Sequence, residues 1–309
     1  MRLLFSMFLV FLLSGCGDSS TDVATETVTV YSGLADTERV EALAREFTAA
    51  TGVKVALKHG ESELVVDAVI ANNGAPAADV LLSPHVGGAW RAAEEGGLRA
   101  LRSEALEALP DALRDPDSFW FGFSIDVAAI VYNADMASDI AVDSYADLAE
   151  PLLQGKLCLS SSTMAVNRSL LAMLIATMQT RPAERLLQGW LNNLAVAPYA
   201  SEEKLLAALQ AGTCVVGIAS ESAYRKHAAS SSDGSLQSSR PAAGFFEVGA
   251  AGVARHARHA ENAQLFVEWL VAEGGLSSES VAGLTRRNVG LAGWHAEDAV
   301  KLAARRSYY

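Results

Sequence analysis

Four hydroxyl side chains in a row, Ser160-Ser161-Ser162-Thr163, stand directly before a segment with helical apolar spacing, from about Met164 to Met178. The first turn of a helix leaves backbone N–H groups without intrahelical partners, and its dipole favours negative charge. Hydroxyls there make an anion site, and Ser162 or Thr163 serve equally as plain helix caps. His85 follows the apolar strand Ala78-Asp-Val-Leu-Leu82. The carboxyl ends of parallel strands line ligand crevices in open α/β sheets, which places this imidazole to meet a ligand or metal. His256-Ala-Arg-His259 has metal-ligand spacing but lies in a basic stretch before a helix, where a solvated loop accounts for it. No G-x-S-x-G, H-E-x-x-H, P-loop or paired C-x-x-C occurs, so the residues offer binding rather than covalent catalysis.

These groups need a scaffold. Thr27–Ser32 alternates and is β-branched, a strand. Val40, Leu43, Ala44 and Phe47 recur at helical spacing behind Asp36 and Thr37, which can cap that helix, and Gly52 ends it. Val53–Leu57 reads as a strand, Ser62–Ala71 as a helix and Ala78–Leu82 as a buried strand. Helices follow at about 86–95, 164–178, 183–194, 201–211 and 262–272, and strands at 121–124, 129–132, 156–159, 214–219, 245–248 and 252–254. Residues 228–244 are rich in Ser, Ala and Gly and read as a surface loop. Leu205, Leu206 and Leu209 face inward on one helix, and Leu265, Phe266 and Trp269 share a face on another. This alternation builds a mostly parallel sheet with helices on both faces, an α/β fold. With 309 residues, half of them hydrophobic, the chain can form one large domain or two lobes. Its formal net charge of −12 argues against nucleic acid, whose backbone needs Lys and Arg, and against an anionic membrane surface.

Met1-Arg2, an apolar run ending at Leu13 and then Ser14-Gly15-Cys16 form a secretory signal too short for a permanent span. Leu13-Ser-Gly-Cys16 resembles the lipobox of bacterial lipoproteins, which implies that Cys16 becomes the lipid-carrying first residue. The expectation is loss of residues 1–15 and a lipidated flexible tether over 16–26. The chain would then touch the membrane through its lipid alone, in the periplasm or at the cell surface. Export to an oxidising compartment leaves Cys158 and Cys214 as an even pair, which favours a disulfide over two buried thiols.

Several segments, taken in order, resemble the ferric-iron-type group of bacterial solute-binding proteins. They are Val28-Thr-Val-Tyr-Ser-Gly33, Ala78-Asp-Val-Leu-Leu82, Trp90-Arg-Ala92 with Glu95-Gly-Gly-Leu98, Leu113-Arg-Asp-Pro-Asp117, Trp120-Phe-Gly122, Val131-Tyr-Asn133, Gly155-Lys156 and Ala251-Gly-Val253. The resemblance implies the two-lobe type II periplasmic-binding-protein fold, each lobe a mixed sheet flanked by helices, with ligand in the cleft. Crossing strands are expected near Ile125–Ala129 and Glu247–Ala251. Residues 27–125 plus about 250–285 would form lobe one, 126–249 lobe two, and 286–309 C-terminal helices packed across the lobes. The strands carrying Cys158 and Cys214 would be neighbours in lobe two, within reach of a bridge. Expected partners are a small-molecule or ion ligand and an ABC permease and ATPase complex. The chain is expected to be a monomer and no enzyme, with no cofactor.

Iron-binding members place two adjacent tyrosines after the strand corresponding to Val215–Ala219; this sequence has Ser222-Ala223 there, with Tyr224 next. The His or Tyr after the first strand aligns with Ala35, and where members carry an Arg before the crossing strand this chain has Asp126. Glu63 aligns with a carboxylate that some members give to the metal; it equally suits a helix N-terminus. The Ser160–Thr163 turn aligns with one that members use for carbonate or phosphate. Glu221 stands beside the lost tyrosines and Glu247 near a crossing strand, so the expected cleft is acidic. The candidate ligand-binding set is Glu63, His85, Asp126, Ser161, Ser162, Glu221 and Ser222, with Glu63, His85 and Glu221 as candidate metal ligands. This set suits a divalent metal or an organic cation better than ferric iron. Competing readings are ferric iron on other ligands, an orphan sensor or carrier lipoprotein, and an exported hydrolase, against which the missing catalytic motif counts.

Overall fold

A computed structural model describes residues 27–309 apart from 73, 75–76, 138–141, 232–233, 242–244 and 274–285, with the backbone alone for 286–288. The expected signal, Cys16 and the tether lie outside the described residues. The chain opens as a βαβαβα run: β1 (Thr27–Ser32), α1 (Thr37–Thr51), β2 (Lys54–His59), α2 (Ser62–Ala71), β3 (Val80–Ser83) and α3 (Val86–Glu94). Asp36 caps α1 by accepting from the Arg39 N–H, and Gly52 closes it at φ 76°, a left-handed turn that a glycine makes without steric cost. Then come α4 (Glu104–Glu107), β4 (Phe121–Asn133), β5 (Leu157–Cys158), α5 (Ala165–Met178), α6 (Thr180–Asn192), α7 (Glu202–Gln210) and β6 (Val216–Ser220). The chain finishes with α8 (Glu221–Ser230), β7 (Leu236–Ser239), β8 (Phe246–Val253), α9 (Ala260–Glu273), α10 (Arg286–Trp294) and α11 (Ala296–Arg305). No helix among the described residues is long and apolar enough to cross a membrane.

The strands are ordered β2-β1-β3-β8-β4-β6-β5, with β7 added on β4. β1 pairs in parallel with β2 and β3, and β8 runs antiparallel to β3 and β4. β4 divides the sheet. Its first half pairs with β8, and from Ala128 onward it pairs with β6 and β7. It therefore leaves one half-sheet and enters the other, while β8 starts opposite Val127 and stays in the first half-sheet. The sequence suggested two short strands on each of these paths. The structure runs through both: in β4 Ser124 and Asp126 are half-buried polar residues at the crossing that hide the strand period, and in β8 the small residues Gly249-Ala-Ala-Gly252 give no alternation. Residues 228–244, expected as a loop, include the end of α8 and the edge strand β7, of which Leu236 is the buried residue.

Each half has a core on both faces of its sheet. Val28, Val30, Phe47 and Phe266 fill one face of the first half, and Val66, Leu81 and Trp120 the other. Ile130, Leu157, Leu171 and Trp190 pack one face of the second half, and Val131, Leu205 and Leu209 the other. Burial of side chains this size stabilises by about 1.5–3 kcal/mol each. On α9 the buried stripe is Ala263, Phe266, Val267 and Leu270, so Leu265 points outward instead of sharing the face of Phe266. Cys158 and Cys214 are joined in a disulfide at a Cα separation of 5.9 Å, beside the parallel β5–β6 pair. The helices α10 and α11 both pack on α3 and α5.

Candidate functional site

Three polar groups gather around the cleft. In the first, Glu63 lies in the opening turn of α2 and His85 caps α3 just past the end of β3. The His85 Nδ1 accepts from the Gly88 N–H at 3.1 Å, so the neutral ring carries its proton on Nε2. That Nε2 is buried without a hydrogen-bond partner and sits 3.7 Å from Glu63 Oε1. Glu63 also holds Arg91 at 3.3 Å and, from the other half of the molecule, Arg168. Burial, with Arg168 and Arg91 adding to it, drops the His85 pKa to about 3. The ring is neutral, and its free lone pair is already used by Gly88.

The second group stands where β4 crosses. Asp126 on β4 faces Glu247 on β8 in register. Ser222 donates to Asp126 through both its N–H, at 3.2 Å, and its hydroxyl. Ser220 donates to Glu202 in the same two ways, the hydroxyl at 3.1 Å. Burial, then Asp126 and Glu202, push the Glu247 carboxyl well above its usual range. Burial also raises Glu202, against the hydrogen bonds from Ser220 and with Asp126 adding to the rise. Among the described residues no Lys or Arg pairs with Asp126, Glu202 or Glu247.

The third group is the hydroxyl turn. Ser161 and Thr163 share an exposed hydrogen bond at 2.8 Å, and no side chain caps α5. The Ser162 hydroxyl donates to the Tyr308 carbonyl at 2.7 Å. The buried Tyr308 hydroxyl donates to the Ser160 carbonyl at 2.7 Å, and Asn167 Nδ2 donates to Ser160 and Ser161 carbonyls at 3.0 and 2.9 Å. Ser162, Thr163, Arg168, Tyr308 and Tyr309 are among the residues lining a cavity of about 120 Å³.

The expected metal trio of Glu63, His85 and Glu221 is not assembled. Glu63 and His85 meet, but Glu221 is held by Arg240 at 2.5 Å and Arg225 at 2.7 Å. Partial burial pushes the Glu221 carboxyl up, and the two guanidiniums outweigh it and leave it below the usual range. No group of three or more His, Cys, Asp or Glu among the described residues is arranged to hold a metal ion. Tyr224 donates to the Leu236 carbonyl at 3.1 Å, a structural bond. His259 lies 3.5 Å from the buried Asp79, which accepts from the Arg258 and His259 N–H groups, so the H-x-x-H stretch is anchored to the core.

Arg168, Glu202 and Tyr308 were not singled out from the sequence. Arg168 carried a signal: a cation one turn into a helix opposes the dipole and calls for a nearby anion. Glu202 was masked by its place behind Ser201, where acidic residues are ordinary capping company.

A sheet split by the crossing strand β4, with facing polar groups contributed by both halves, defines a two-lobe capture protein. The sequence model of the family described as bacterial extracellular solute-binding protein matches residues 42–276. "Iron uptake protein A1" of Synechocystis is 29% identical over 280 residues, 85% of this chain and 77% of that protein. The Trichodesmium protein IdiA (FutA), solved in complex with iron and citrate ligands, has a TM-score of 0.77 at 28% identity, over 92% of this chain and 100% of that one. The ferric binding protein from Campylobacter jejuni shares the fold at a TM-score of 0.81 and 20% identity, over 91% of this chain and 100% of that chain. The chain belongs to the bacterial extracellular solute-binding protein family, and the relatives it resembles are binding proteins rather than enzymes.

Proposed function

We propose that this chain is the cargo-capturing subunit of an ABC importer, tethered outside the cytoplasm by a lipid on Cys16. Cargo sits in the cleft against Glu63, Asp126, Ser161, Ser222 and Glu247, and is passed to a permease and ATPase complex. The mechanism is population shift: cargo contacts from both halves hold the closed form in place of contacts the chain makes with itself, and no bond is made or broken. The observation that carries the cargo class is the convergence of Asp126, Glu202 and Glu247 without a basic partner. Carboxylates gathered this way are relieved by a cation, and since no three of them among the described residues are arranged as metal ligands, the group supports an organic cation ahead of a divalent metal. The phenolate pair suited to ferric iron is replaced by Ser222 and Ala223.

A second reading is ferric iron carried as its citrate complex, favoured by the Trichodesmium relative. The uncapped amides of α5 and Arg168 would then take citrate carboxylates. Calorimetric titration with manganese, zinc, spermidine and ferric citrate separates the two. The first reading expects one of the cations to bind and to lose at least about tenfold in affinity in Asp126→Asn, equal to 1.4 kcal/mol. Tight ferric citrate binding that ignores Asp126→Asn and falls in Arg168→Gln would establish the second. Binding of none of the four by either protein rejects both.

A further inference from the structure

Two ion pairs of the chain's own side chains join the two halves across the cleft. Arg168 on α5 meets Glu63 on α2. Lys226 on α8 reaches Asp36, the cap of α1, at 3.4 Å. α1 and α2 pack on β1, β2 and β3 in the first half, whereas α8 packs on β6, β7 and α7, and α5 on α6, in the second. Glu63 is enclosed by the chain's own donors: Arg168, Arg91 and the Nε2 of His85. The Arg168 side chain is 15% exposed, and its Nε is buried with no partner. It is therefore committed to this contact and does not trail in solvent. In a two-lobe binding protein, a ligand touching both halves is what ordinarily favours closure. Here a charge that touches both halves is covalently part of the chain.

We infer that Arg168 is a tethered cation that closes the cleft before cargo arrives, with Lys226 as a second latch on the far side. The resting protein is closed. Cargo gains Glu63 only by competing with a guanidinium that never diffuses away, so Arg168 determines specificity as well as shape. A weakly paired cation does not displace it. A cargo able to engage Glu63 and the crossing-strand carboxylates together does. The inference rests on the two-lobe reading for why closure matters, but on no particular cargo. Because Lys226 and Asp36 are both exposed, the second latch is screened by salt, while the first, partly buried, holds.

The test is a distance measurement between spin labels placed by Glu41→Cys on α1 and Glu203→Cys on α7, both exposed positions, in otherwise full-length protein dialysed free of small molecules. The parent should give one short, narrow distance distribution without cargo. Arg168→Gln combined with Lys226→Gln should move most of the population to longer distances, and Arg168→Lys should stay closed. The exchanged pair Glu63→Arg with Arg168→Glu, carrying Lys226→Gln, should return the short distance. This rescue separates loss of the latch from loss of the fold. A parent protein as open as the double variant overturns the inference, and so does a double variant as closed as the parent. If the double variant does not fold, the exchanged pair decides: an open distribution there rejects the latch. None of these outcomes bears on which cargo is carried, since no cargo is added.

Discussion

His85 is neutral, buried and flanked by Arg168 and Arg91, and its pKa falls from 6.5 to about 3. Between those two values the unfolded chain binds a proton that the folded chain refuses. Stability from this group is therefore complete above pH 6.5 and is lost as the pH falls toward 3. Near pH 5 the loss is about 2 kcal/mol, from 1.36 kcal/mol per unit. Asparagine can accept the same Gly88 N–H, so His85→Asn should keep the cap and flatten this acid loss. Urea titrations at pH 8 and pH 5 measure it; an equal fall in both proteins would discard the account. Glu247 acts in the opposite sense. Its raised pKa favours the folded state at low pH, and that advantage disappears as pH rises through the folded value. Glu247→Gln should therefore stabilise the cargo-free protein near neutral pH by on the order of 1 kcal/mol while weakening capture of a cation. A lower melting temperature in that variant at pH 7 would show that Glu247 is not penalised. At this scale the sequence marked Glu63, Asp126 and Glu247 by their places beside strands, which is local information, and passed over Glu202. It did not show that Glu221 is neutralised, because Arg240 lies nineteen residues away and is brought back at the end of β7, which runs antiparallel to β4.

Elements were legible wherever one face meets one core. α1, α2, α3 and α7 have apolar residues at helical spacing and polar caps, and their bounds follow from those patterns. β4 and β8 were not, because β4 loses its alternation where it passes between two cores and the middle of β8 is Gly249-Ala-Ala-Gly252, which has none. The 56-residue span closed by Cys158 and Cys214 gives the element-scale prediction. The bridge packs against Leu205 and Leu209 in the second half's smaller core, which includes neither Arg168 nor the hydroxyl turn. Replacing both cysteines by serine should lower stability by about 4 kcal/mol on loop entropy and leave cargo affinity within twofold. Denaturation with and without a reductant in the parent checks the same number. An unchanged unfolding midpoint in the serine variant would mean that the bridge constrains nothing.

At the scale of the whole molecule, both halves and both termini of the described chain meet the environment differently. The body carries a large negative charge, which works against anionic membranes, so on the proposed lipid tether residence at a membrane would rest on Cys16. Cys16→Ser should release the protein to the soluble fraction or leave it unprocessed; membrane partitioning equal to the parent's would remove the lipid from the account. The contact of Tyr308 with Ser160 and Ser162 has a practical side. Tyr308 is buried under the turn while Tyr309, its neighbour, is 70% exposed and borders the same cavity as Thr163 and Arg168. With Cys158 and Cys214 bonded to each other, a cysteine introduced at position 309 would be the thiol that a maleimide dye finds in the soluble Cys16→Ser background. A fluorophore there is moored to the turn by its buried neighbour and looks onto Arg168. Its emission should change when Arg168 leaves Glu63, which would make the chain an optical sensor for cargo that is otherwise unidentified, readable in a plate of candidate compounds.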